Sequence, residues 1–406
     1  MRGNLLNNLR WNSNKKIRVA HLIAGIGTGG TGENTLFTIL GLDKKKYHID
    51  LVVGVELKKD ILKRILNKKI NLIQIRPFGA RHSFLYDPIL LLKLIVLFKR
   101  GRYDIVHTHS TKSGILGRIA ARIAGVPIII HGLHVNALEV FNSKFINVTT
   151  ILLEKITSKF TDAHISVSEV VSKKYLEYGI GKKMKYFTVR SGMEINKFFD
   201  AKGKVNNQQK RQELGLSGKC FIIGNVGRLE ASKGHHFLFQ AIKEILKFRK
   251  DQPIKLLVIG EGEDKEKLIK YAKKLNIEKM VIFTGYRRDV AELMAIMNLF
   301  VFTSLREGLP RVLVQAAAVG IPSVAFNVDG ISEILKDNYN GFLVEPTNIK
   351  QLVERIIKYI DNKELLRMHG KNGQNVVKDR WSVEGMVRRT DQIYSDLVEK
   401  KINKYS

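Results

Sequence analysis

The 406-residue sequence predicts an α/β protein built from two Rossmann-like domains, and three observations carry that expectation. The chain is too long for a single core of ordinary size. Short apolar runs alternate with helical stretches throughout, the pattern of a parallel sheet covered on both faces. The alternation also starts afresh at Phe221, after a polar segment, so the second half roughly duplicates the first.

Taken in order, the strand Ile17–Ile23 runs into Gly25–Gly30 and a helix from about Thr31 to Leu42. This GxGxxG spacing lets a backbone approach a pyrophosphate. An acid at the end of the next strand, Glu56 after Asp50–Val55, would complete a dinucleotide site, so an NAD(P)-dependent oxidoreductase is one reading. The strand Asn71–Ile75, a helix over Pro88–Arg100, the strand Asp104–His107, a helix over Gly114–Ala124 and the strand Pro127–Ile130 follow. A helix over Phe145–Phe160, the strand Ala163–Val167, a helix capped by Ser168 and the strand Tyr186–Arg190 complete the first half. The polar residues 201–219 are read as a linker between domains 1–200 and 220–380, with a last helix in 381–406.

The second half opens with the strand Phe221–Val226 and continues through Leu256–Gly262 and Met280–Gly285. The strand Leu299–Thr303 then turns through a charged loop, Ser304–Pro310, into an apolar run that Gly320 stops before a strand near Pro322. Helices over Ile349–Ile360, Glu364–Val377 and Trp381–Lys400 close the chain. In an open parallel sheet, ligands bind at the carboxyl ends of the strands, and a helix amino end there offers N–H groups to an anion. Glu307, Gly308 and the amides that follow sit at such a turn. Arg228 and Lys233, beside glycines and a helix start, are suited to neutralising a diphosphate.

Composition narrows the classes. The net charge is +31, with 33 Lys and Arg against 14 Asp and Glu in residues 1–200 and 36 against 24 in the remainder. Nucleic acid, an anionic membrane surface or an acidic substrate would each match that field. No aromatic-lined basic module, zinc or helix-turn-helix signature accompanies it, so nucleic acid is not an expected partner. The single Cys220 fits a reducing compartment. Residues 1–14 lack the apolar core of a secretory signal, and Ile89–Phe98 falls short of the roughly 20 residues a span needs. The expected location is the cytoplasm, with peripheral attachment to the inner face of the plasma membrane, where the helix Pro88–Arg100 would meet the interface. His107 and His109, with His131 and His134, place four imidazoles at neighbouring strand ends, but no Cys or nearby carboxylate completes a metal set.

The segment "LREGLPRVLVQAAAVGIPSVAFNVDGISE" resembles the signature of retaining glycosyltransferases of family 4, which have the two-domain GT-B fold. "YDIVHTHSTKSGILGRIAARIAGVPIIIHGLH" and "NVGRLEASKGHHFLF" resemble the same family. The resemblance implies two Rossmann-like domains facing across a cleft, with a C-terminal helix crossing back to the first. It further implies a nucleotide-sugar donor, most plainly a UDP-sugar, a glycan or polyprenyl-diphosphate-linked acceptor in surface-polysaccharide assembly, and no required metal or cofactor. Residue by residue, it implies donor-phosphate roles for Arg228 and Lys233, a donor-sugar contact for Glu307 and a supporting role for His134. Gly29, Gly30 and His109 line the same site, Tyr286 and Arg287 bracket the nucleobase, and Gly308, Leu309, Gly330 and Glu333 belong to the donor loops. Gln315 stands where the family's second Glu receives the ribose hydroxyls; its amide oxygen still accepts, without charge. A sugar-nucleotide epimerase shares this architecture and is a second alternative.

Overall fold

The structure, a computed structural model, describes residues 15–26, 30–54, 57, 59–75, 86–135, 137–138, 143–216, 218–249, 252–378 and 380–405. The chain divides into two compact units, Met1–Met193 with Ser382–Ser406, and Glu194–Trp381. Each is Rossmann-like.

The first unit holds seven parallel strands: β1 (Ile17–Ile23), β2 (Tyr47–Val53), β3 (Asn71–Gln74), β4 (Ile105–His109), β5 (Ile128–Leu133), β6 (Ala163–Ser166) and β7 (Tyr186–Thr188). Their order is β3-β2-β1-β4-β5-β6-β7, so the sheet reverses direction of growth between β1 and β4. Alternate residues supply two cores, as the period of a strand requires. Val19, Ile49 and Ile105 pack beneath the helices Gly30–Gly41 and Val383–Tyr405. Ala20, Leu22 and Val106 pack beneath the helices Asp87–Gly101 and Thr111–Ala124.

The second unit repeats the plan with six parallel strands: β8 (Phe221–Val226), β9 (Ile254–Ile259), β10 (Val281–Gly285), β11 (Leu299–Phe302), β12 (Ser323–Phe326) and β13 (Gly341–Val344). The order β10-β9-β8-β11-β12-β13 places its reversal between β8 and β11. Ile223, Leu256, Val301 and Phe326 are fully buried at the centre of its core.

Several expectations shift. Residues 201–219 are not a bare linker: Ala201–Lys204 and Asn207–Glu213 are helical and lie inside the second unit, which begins at Glu194. Lys210 there pairs with Asp289, Glu213 and Glu292, each at 2.9 Å, which anchors a stretch whose composition alone reads as loose. The strand expected to end at Ile130 continues to Leu133, which puts His131 inside β5. Met193 pairs with Ser382 where the chain leaves the first unit and returns to it, and the last helix then runs to Tyr405. Gly27, Thr28, Gly29 and Glu56 lie outside the described residues; Gly30 opens the helix Gly30–Gly41 and is exposed.

Candidate active site

In the second unit the loops after β8 and β11, the two strands flanking the reversal, are fastened to one another. The Leu305 amide donates to the Ser232 carbonyl at 2.9 Å, and Lys233 Nζ lies 2.6 Å from Glu307 Oε1. Gly234 makes this approach possible. It sits at φ +63°, and a Cβ there would stand 2.1 Å from the Thr303 carbonyl oxygen. The main-chain amide of Glu307 donates to Asp329 Oδ2 at 2.7 Å, which ties in the turn after β12. Three loops at the carboxyl edge of one sheet therefore converge on one lysine–glutamate pair.

Arg228 sits on the first of these loops, 3.0 Å from Glu230, with its side chain 69% exposed and so able to swing onto an incoming anion. Gly308 and Leu309 are buried ahead of the helix Arg311–Val319, whose first turn has no side-chain cap. The Leu313 amide there turns back to the Pro310 carbonyl at 3.0 Å. Gln315 lies on that helix, half-buried, and Gly330 and Glu333 lie in the short 3₁₀ turn Asp329–Glu333. Tyr286 is exposed beyond β10. Arg287 is engaged differently from the expectation: its guanidinium grips Asp289 at 2.6 and 2.7 Å and also Glu213. Those bonds hold the Asp289 carboxyl well below its usual range and brace the loop carrying Tyr286.

Beside its own reversal, the first unit offers imidazoles. His21 on β1 stands in register with His107 on β4, and His109 projects from the same sheet face two residues on. His21 Nδ1 is 3.1 Å from His109 Nε2, and His109 Nδ1 is 3.0 Å from His134 Nε2. Tyr394, from the last helix, places its hydroxyl 2.6 Å from His107 Nδ1 and 3.3 Å from His21 Nε2. Gly132, opposite His109, leaves room for the row, since a Cβ there would come within 2.8 Å of His109 and 3.0 Å of His134. Burial pulls His21, His107 and His109 well below the ordinary histidine range and His134 down to about 4, so the row is neutral at physiological pH.

His131 does not join this row. It aligns with Thr108, on the opposite face, and bonds Thr108 Oγ1 at 2.9 Å, as a hydrogen-bonded structural histidine would. Beside it Arg118 and Glu154, both fully buried, pair at 2.7 Å. His21, His107 and His109 bring nitrogen atoms within 4.8 Å of one another. His21 Nδ1, His109 Nε2 and His107 Nδ1 are already engaged in the hydrogen bonds above.

The sequence matches two family models, "Glycosyltransferase Family 4" over residues 28–187 and "Glycosyl transferases group 1" over residues 206–376. It is 30% identical over 316 residues to the capsular polysaccharide biosynthesis glycosyltransferase CapM of Staphylococcus aureus, covering 77% of this chain and 82% of that one. The chain belongs to glycosyltransferase family 4.

This glycosyltransferase is also similar, at 28% identity over 395 residues, to an Escherichia coli enzyme named UDP-Gal:alpha-D-GlcNAc-diphosphoundecaprenol alpha-1,3-galactosyltransferase; the match covers 96% of this chain and 99% of that one. Among solved structures, Anabaena HepE in complex with UDP superposes with a TM-score of 0.77 at 21% identity, over 94% of this chain and all of that one. Thermosynechococcus elongatus sucrose-phosphate synthase gives the same score at 20% identity, over 95% and 100%. These likenesses place the glycosyltransferase in the GT-B fold and disfavour the oxidoreductase reading.

Sequence reasoning passed over His21 and Tyr394 as members of the histidine row. His21 was legible, because it holds the same place on β1 that His107 holds on the neighbouring strand. Tyr394 lies 287 residues from its partner and leaves no local signal.

Proposed function

We propose that this family 4 enzyme moves a sugar from a UDP-sugar, with retention of anomeric configuration, to a polyprenyl-diphosphate-linked glycan during surface-polysaccharide assembly. The observation that carries the reading is the Lys233–Glu307 pair, which joins the loops at the β8–β11 reversal, where an open parallel sheet binds nucleotides. The Escherichia coli relative's name supplies the acceptor class, and HepE, which has been seen with UDP and with UDP-glucose, supplies the nucleotide.

In this mechanism, Lys233 and Arg228 take the donor diphosphate, and Glu307, displaced from Lys233, orients the sugar hydroxyls. The bond between the anomeric carbon and the β-phosphate oxygen breaks as the acceptor oxygen bonds to the same face of that carbon. The acceptor proton passes to the departing diphosphate. Negative charge builds on that leaving group, and each fixed cation or amide aimed at it contributes about 3 kcal/mol in comparable sites. The amides opening Arg311–Val319 serve the same charge, Gly308, Leu309, Gly330 and Glu333 shape the sugar pocket, and Tyr286 stacks on the base while Arg287 holds its loop. Gln315 accepts from the ribose through its amide oxygen. In the first unit, neutral His134, held by His109, donates a hydrogen bond to the sugar without competing for its proton. The proposed transfer uses no metal.

The test is calorimetric titration of UDP and a panel of UDP-sugars into wild type, Arg228→Ala and Lys233→Ala. Wild type binds UDP, and each variant binds at least tenfold more weakly. Unchanged affinity in both variants would refute the phosphate assignment.

A further inference from the structure

The outer face of the first unit carries a feature that sugar transfer does not use. The helix Asp87–Gly101 packs on Thr111–Ala124, which packs in turn on Lys144–Ser158, so the three form one layer over the sheet. The outermost helices each expose an apolar stripe instead of a polar one. On Lys144–Ser158 it is Phe145, Val148, Leu152 and Ile156, spaced three, four and four residues apart, with Phe145 79% exposed. On Asp87–Gly101 it is Ile89, Leu92 and Val96, with Leu92 64% exposed. A water-facing helix surface ordinarily carries charge at those positions, and contiguous exposed apolar side chains mark an interaction surface.

Charge on this layer is one-sided. Exposed Lys93, Lys99, Arg100, Arg122, Lys144 and Lys155 flank the stripes. The three helices contain two carboxylates: Asp87 bridges to Lys112 at 2.7 Å, and Glu154 is buried against Arg118. A groove of about 720 Å³ along Asp87–Gly101 brings Arg18, Lys93 and Arg100 beside Ile89, Leu92 and Val96. The groove's one acid, Asp50, is buried and bonded by Tyr103, and apolar side chains ringed by exposed cations match an anionic bilayer: the side chains enter the acyl boundary and the cations reach the lipid phosphates. Among the described residues, no helix is long and apolar enough to cross a membrane.

We propose that this three-helix face docks flat on an anionic lipid surface, with Phe145, Val148 and Leu152 inserted below the headgroups. The proposal deepens the lipid-linked acceptor reading above, by assigning the surface that would hold the enzyme against the membrane carrying that acceptor.

The experiment is flotation of the full chain with vesicles of phosphatidylglycerol and phosphatidylcholine, and with phosphatidylcholine alone, at physiological salt. Two triple variants are compared with wild type, Phe145→Ser/Val148→Ser/Leu152→Ser and Lys93→Glu/Lys144→Glu/Lys155→Glu. Wild type floats with the anionic vesicles only. Each variant loses at least roughly tenfold in partitioning while its UDP affinity and thermal midpoint stay at wild-type values. The proposal is overturned if wild type ignores anionic vesicles, or if both variants still float. It is equally overturned if the serine variant instead dissolves a dimer seen by sedimentation, which would make the stripe a contact between copies. Vesicle binding without sugar transfer would defeat the functional reading alone, and transfer to a short water-soluble acceptor without vesicle binding would defeat the docking face alone.

Discussion

The two units share one strand order around their reversals, yet they equip the reversal in opposite ways. In the first, the chemistry sits on the strands: His21 and His107 face each other across β1 and β4, buried and neutral. In the second, β8 and β11 are apolar and the chemistry sits on the loops beyond them, as the pairs Lys233–Glu307 and Arg228–Glu230. The contrast teaches that topology fixes where a ligand can approach but not what meets it. A half built of uncharged imidazoles suits hydrogen bonding to sugar hydroxyls, and a half built of ion pairs suits a diphosphate.

Breaking the buried Arg118–Glu154 pair of the first unit should have the largest effect. Arg118→Met strands Glu154, which is 1% exposed, and should cost about 3–5 kcal/mol in denaturant unfolding. A loss below about 1 kcal/mol would mean that the first unit tolerates free charge and that the contrast is superficial. On the charged half, Lys233→Ala should lower kcat/KM by at least about 100-fold, equivalent to roughly 3 kcal/mol, with little change in thermal midpoint. Steady-state kinetics that retain half of wild-type activity would show that the pair is merely structural.

Gly132→Ala should cost about 1–3 kcal/mol, because its methyl group would press on His109 and His134; a neutral outcome in thermal melts would show that the imidazole row gives way. The mildest test is acid. Histidines whose folded values lie below the ordinary 6.5 are protonated first in the unfolded chain, so their contribution is complete above about pH 6.5 and fades as pH falls toward the folded values, near 4 for His134. In the first unit His21, His107, His109, His131, His134 and His164 all share this direction, against His235, His236 and His369 in the second. Hydrogen exchange between pH 7 and 5 should show the first unit opening before the second, and the reverse order would contradict the assignment.

Much of this was legible from local pattern. Strands Ile17–Ile23 and Phe221–Val226 were read with the bounds they have, because each is a mostly apolar run that meets a glycine within two residues of its end. Ser168 was read as a cap, and its hydroxyl does accept from the Val171 amide at 3.2 Å. Lys233 and Glu307 were each singled out, though their 2.6 Å contact was not, since they lie 74 residues apart. His107, His109, His131 and His134 were placed at neighbouring strand ends, but the sheet face each one takes was not legible while the end of β5 stood at Ile130. With the strand extended to Leu133, the period of two sends His131 to the face opposite His107. The linker assignment over 201–219 failed where composition is weakest: polar, glycine-bearing sequence describes an anchored surface helix as well as a tether. Arg287 illustrates the same limit, because nothing in the sequence around it announces Glu213 as a partner.

The placement of Val383–Tyr405 carries a consequence for biosynthesis. Tyr394 bonds His107 and His21, and Asp391 receives Lys46 at 2.7 Å and Tyr47 at 2.6 Å, so residues near 390 complete a core whose strands lie far earlier in the chain. The first unit cannot close this core until synthesis has passed residue 394, well beyond the last of its strands, and a premature stop before residue 383 would leave the histidine row without its tyrosine.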